Sequence, residues 1–135
     1  MFDAEALKYV VPALVAVIGW FAAHQFNVYR DRQNRRRELR IKFLLDAYRR
    51  LESAANREEK TEEQLLAFES AIADIQLLGS QEQVAATVKY MQQHVSDGSA
   101  EIGPVLRLLR SDLRKEIGLS GEVENVAAFR FTRES

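Results

Sequence analysis

The chain has 135 residues, 47% hydrophobic and 29% charged, which fits one domain, or one small domain with an appendage, and excludes a disordered tail. Nineteen Lys and Arg against 20 Asp and Glu leave a net charge of −1, so nothing global argues for nucleic-acid or nucleotide binding. With no Cys and only two His, disulfides, thiol nucleophiles, iron–sulfur clusters and zinc fingers are excluded, and no metal site or cofactor is expected.

The charge is segregated along the chain. Residues 1–26 sum to −1, 27–60 to +5, 61–103 to −6 and 104–135 to +1. From Tyr9 to Tyr29 no side chain is charged. As a helix this stretch measures about 31 Å, at about 1.5 Å per residue, against a hydrocarbon thickness of ~30 Å. The spacing predicts one transmembrane helix, with residues 1–29 as the anchor. Asp3 and Glu5 stand where a signal peptide would carry basic residues, which argues against that alternative. Pro12 lacks a backbone donor and predicts either a kink or a helix that starts near it. Tyr9 and Tyr29 fall at interfacial depth, whereas Trp20 falls inside the span, where it would meet lipid or a neighbouring helix. His24, near Gln25 and Asn27, reads as an interfacial polar group.

Ala16, Gly19 and Ala23 recur at spacings of three and four, so they share one helix face. Small residues there let two backbones approach, and the face predicts association of membrane helices, in a homo-oligomer or with a protein partner. Beyond the span lie Arg30, Arg32, Arg35, Arg36, Arg37, Arg40 and Lys42, against the single Lys8 before it. That asymmetry predicts an outward N-terminus and a cytoplasmic C-terminal side. At about 100° per residue these seven point in many directions. Anionic lipid headgroups are their expected partners, and the acidic surface of a partner protein is the alternative.

The neck should continue the membrane helix. Asp31 and Arg35, Glu38 and Lys42, and Asp46 and Arg50 are acid-first pairs four residues apart, the orientation that supports a helix. Ile41, Leu44, Tyr48, Leu51 and Ala55 form an apolar stripe, and the helix is expected to end near Asn56. A second helix opens with the capping pair Thr61 and Gln64, carries Leu65, Phe68, Ile72, Ile75 and Leu78, and stops at Gly79, read as a left-handed cap. Ser80 and Gln83 repeat the capping pattern for a third helix, with the stripe Val84, Val88, Met91 and Val95, closing at Asp97 and Gly98. The fourth opens at Pro104, carries Leu106, Leu109, Leu113 and Ile117, and stops at Gly118. The fold class is therefore all-α: a single N-terminal transmembrane helix continuing into a cytoplasmic bundle of about four helices over 30–118, then a tail over 119–135. Within that tail, 123–131 is compatible with a strand or a short helix.

No glycine-rich phosphate loop, HExxH, GxSxG or EF-hand pattern occurs, so the chain is not expected to be an enzyme. Glu62 and Glu63 suit the start of a helix, where the dipole favours negative charge. Asp74 suits an outward-facing position, and His94 a surface or rim position. The layout resembles that of small single-pass bacterial inner-membrane proteins. It implies an inner-membrane interaction or scaffold module, working as an oligomer or as a small subunit of a membrane complex. The alternative is a membrane effector or channel-like assembly, of toxin or phage-defence type, whose bundle senses a ligand or partner.

Overall fold

The computed structural model describes residues 3–55, 57–119, 121 and 129–131. Among these residues there are four helices and no strands: α1 (Ala4–Ala54), α2 (Glu62–Leu78), α3 (Gln81–Asp97) and α4 (Gly103–Glu116). Contacts divide the chain into two units, Met1–Glu38 and Leu39–Ser135.

In the first unit, α1 is long and apolar enough to cross a membrane. Its most apolar 18-residue window has a mean hydropathy of 1.8, and none of that window is buried. Pro12 lies inside the helix, which already begins at Ala4, so the expectation of a start near Pro12 does not hold. The ring leaves the Lys8 carbonyl without its usual donor, and the flanking helix is regular enough to carry that loss.

The second unit is organised around a small core. Leu44, Ala47 and Leu51 of α1 meet Ala71, Ile72 and Ile75 of α2 and Val105, Leu106 and Leu109 of α4, with Ala55 and Ile102 closing it. Burying each large aliphatic side chain contributes about 1.5 to 3 kcal/mol. Arg50 ties α1 to α2: its Nη2 lies 2.6 Å from Asp46 and 2.5 Å from Asp74, and its Nη1 donates to the Ser70 hydroxyl at 2.7 Å. Burial alone would lower the Arg50 pKa, but the Asp74 hydrogen bond and the charges of both carboxylates outweigh it and raise it. Asp74, expected to face outward, is partly exposed and forms half of an interhelical ion pair.

Both capping boxes form. Gln64 N–H donates to the Thr61 hydroxyl at 3.1 Å and Thr61 N–H to Gln64 Oε1 at 3.1 Å, and Ser80 and Gln83 repeat this at 3.2 and 3.0 Å. Gly98 closes α3 at φ 73°, the left-handed cap. Gly79 departs from the expectation, since it is extended at φ −71° and ψ 162°. A glycine is needed there for a different reason: a Cβ would collide with the Ile75 carbonyl oxygen, which accepts the Gly79 N–H at 2.8 Å. Gly79→Ala is therefore expected to cost about 1 to 3 kcal/mol by forcing that backbone apart. An unchanged melting temperature would show that the turn opens freely.

The orientation of α3 is the largest departure from the sequence reading. The stripe expected to face its neighbours is turned partly outward, with Met91 38% and Val95 86% exposed, while Gln83 and Thr87 are buried. The polar pair is accommodated because its hydrogen bonds are made. Thr87 Oγ1 donates to the Gln83 carbonyl at 2.8 Å, and Gln83 Nε2 donates to Asp112 of α4 at 2.7 Å. Gln83 Oε1 also caps the Ser80 N–H, so one side chain closes the α2–α3 turn and links α3 to α4.

Candidate functional site

Three places carry features that core packing does not use. On α1, Ala16, Gly19 and Ala23 are all exposed, and a Cβ added at Gly19 would meet nothing within 4 Å. The face expected to associate is thus sterically open. Trp20 stacks on His24 one turn later, with ring centroids 5.7 Å apart and planes 12° apart. The indole therefore lies against one face of the imidazole, whose residue remains exposed.

The basic residues Arg30, Arg32, Arg35, Arg36, Arg37, Arg40 and Lys42 are all exposed along α1. The first five belong to the first unit, and Arg40 and Lys42 belong to the second. Arg40 has an assigned partner in its own unit, its Nε standing 3.2 Å from Glu116 Oε1 at the end of α4. Sequence reasoning missed this pairing, because nothing local to Arg40 signals a contact with Glu116. Exposure leaves the cluster accessible to anions, and each exposed pair contributes little to stability.

The third place is a groove of about 690 Å³ in the second unit, within the ~300 to 1,000 Å³ range of small-molecule sites. Its floor is apolar, built from Ala54 and Ala55 at the end of α1, Leu65, Phe68 and Ile72 of α2, Tyr90, Met91 and Val95 of α3, and Ile102. Lys60, Glu69, Gln76, His94 and Glu101 supply polar groups. Phe68 and Tyr90 approach to 5.9 Å between ring centroids, and Tyr90 lies 6.1 Å from the His94 ring. Burial pushes the Tyr90 hydroxyl above its ordinary pKa. Such a wall suits an apolar or aromatic surface. Among the described residues no three His, Asp or Glu side chains gather to hold a metal.

His94 is exposed, as expected of a surface or rim residue, and it lines the groove. The groove was missed as a whole, although its signal was available: Leu65, Met91 and Val95 continue stripes that short helices cannot cover. The tail adds a further contact. Arg130 donates to the Glu52 and Ala55 carbonyls and pairs with the Glu52 carboxylate at 2.9 Å. The last turn of α1 carries no basic residue, and Arg130, with Arg57, whose Nε donates to the Ser53 carbonyl at 2.6 Å, supplies the positive charge that its dipole favours. The strand or short helix expected over 123–131 lies mostly outside the described residues. Comparison with known protein families, characterised proteins and solved structures finds no match to this chain.

Proposed function

We propose that the protein is a non-enzymatic, single-pass inner-membrane module whose cytoplasmic bundle works within an oligomer or a larger membrane complex. The observation that carries this reading is the juxtaposition on α1: an apolar window with no buried residue, followed directly by Arg30 and six further basic residues. An apolar helix that the protein itself leaves uncovered needs another apolar environment, and a bilayer of matching thickness supplies it. Basic residues on one flank orient the span with its C-terminal side in the cytoplasm. Those nearest an anionic leaflet gain about 1 kcal/mol each. The Ala16, Gly19 and Ala23 face supports association within the membrane.

Paired reporters fused after Ser135 test the topology. Green fluorescent protein is expected to fluoresce and alkaline phosphatase to stay inactive, whereas an active phosphatase would overturn orientation and localisation together.

The groove favours a second reading, a membrane effector in which the bundle senses an apolar ligand. Expression in cells loaded with a membrane-potential dye separates the two. A scaffold leaves the potential unchanged, and depolarisation would establish the effector.

A further inference from the structure

The core side of α3 carries Gln83, Ala86, Thr87 and Tyr90. At about 100° per residue, the opposite side carries Gln81, Val84, Ala85, Val88 and Gln92. These residues, with Gly79 and Lys89, line a shallow depression of about 500 Å³. Val84 and Val88 are only half-buried, and Ala85 is exposed. We propose that a second copy of this chain docks on this face, α3 antiparallel to α3, about a two-fold axis that passes beside Ala85, at the level of residues 85 and 86.

Self-complementarity selects that occupant. A two-fold contact uses one patch twice, so every residue pair must occur in both directions. With the axis at that level, Val84 of each copy meets Val88 of the other. Glu82 and Lys89 lie on one flank of the stripe, both exposed. The same axis sets Glu82 of each copy opposite Lys89 of the other, giving two opposite-charge pairs beside an apolar seam. A parallel arrangement offers no such match, because each charge then lies level with its own copy. Ala85 at the axis lets the helices come to the short end of the ~8 to 10 Å range of helix packing. This inference rests on the oligomeric part of the proposed function and names its cytoplasmic contact. Tethering in one membrane would raise the effective concentration for it.

Because the chain has no Cys, single-cysteine crosslinking in the full-length protein reads this geometry directly. Ala85→Cys places two thiols beside the axis, where their Cβ atoms come within the ~4 Å that a disulfide needs. Gln93→Cys, exposed on a different side of α3, is the collision control. On oxidation in native membranes, Ala85→Cys is expected to give at least tenfold more dimer than Gln93→Cys. Adding Lys89→Glu to Ala85→Cys should lower the dimer about fivefold by setting like charges together, and adding Glu82→Lys as well should restore it. Equal yields from the two cysteines, indifference to the charge changes, or an adduct with another protein in place of the dimer would overturn the proposal. The yield is scored per molecule in whichever fraction holds the protein, so a failure of membrane anchoring is seen separately and leaves this test readable.

Discussion

Leu109→Ala is expected to destabilise the bundle by about 2 to 5 kcal/mol, the largest effect of any single truncation considered for this protein. Leu109 is fully buried in α4, within the cluster that joins Leu51 of α1 and Ile75 of α2. Removing its branched end takes a fully buried side chain out of that cluster and leaves a void that the surrounding helices fill only in part. The measurement is made on residues 39–135, which form one of the two compact units and are expected to fold alone as a soluble helical domain. For a domain of this size, each kcal/mol moves the melting temperature by about 4 to 8 °C. Val95→Ala is the matched control, because Val95 belongs to an equally regular apolar stripe yet is 86% exposed. It should stay within about 0.5 kcal/mol of the parent. Equal effects from the two substitutions would place the core elsewhere.

That contrast between Leu109 and Val95 also marks what the sequence could disclose. Helix existence and order were legible because the signals are local. The Thr61–Gln64 and Ser80–Gln83 boxes need only residues three apart, and the pair Asp46–Arg50, at 2.6 Å, needs only one helical turn. The stripes of α1 and α4 point inward as read through Leu44, Leu51, Leu106 and Leu109, whereas Ile117, read as the end of the α4 stripe, caps the helix and is 48% exposed. What was not legible depends on partners distant in the chain. Periodicity places Val84, Val88, Met91 and Val95 on one face but does not state which face the other helices cover. Gln83 resolves that by reaching Asp112, a contact 29 residues away. Asp74 and Arg50 meet across 24 residues, and Arg40 and Glu116 across 76. Gly79 shows a subtler limit: a glycine was needed at the turn, but for the close approach of the Ile75 carbonyl and not for a left-handed backbone. Of the candidate sites, the small-residue face and the basic run are written contiguously in the chain. The groove is assembled from α1, α2, α3 and the residues before α4, so it exists only after folding.

Placing two arginines in the apolar window, Val15→Arg with Ile18→Arg, is expected to strip the protein from the membrane. Both positions are more than 60% exposed on α1, so neither substitution disturbs packing within the chain. Arginine is also a good helix former, so α1 itself should persist in water. The cost falls on insertion. Each arginine near the centre of a span is worth about 2.5 to 3.5 kcal/mol against partitioning, and each loses the small favourable contribution of the residue it replaces. Snorkelling relieves a single charge near an interface, but these two lie close to the midpoint between Tyr9 and Tyr29, out of reach of both surfaces. After carbonate extraction the parent should remain with the membranes, and the doubly substituted chain should move to the supernatant or to aggregates. The melting transition of the bundle, measured in the doubly substituted full chain and in the parent, serves as the internal reference, since residues 39–135 contain neither position and should melt alike in both. A doubly substituted chain that stays in the membrane fraction would mean that α1 is held there by something other than its own hydrophobicity. A parent chain that washes off with carbonate would mean that the exposed apolar face of α1 is covered by protein and not by lipid.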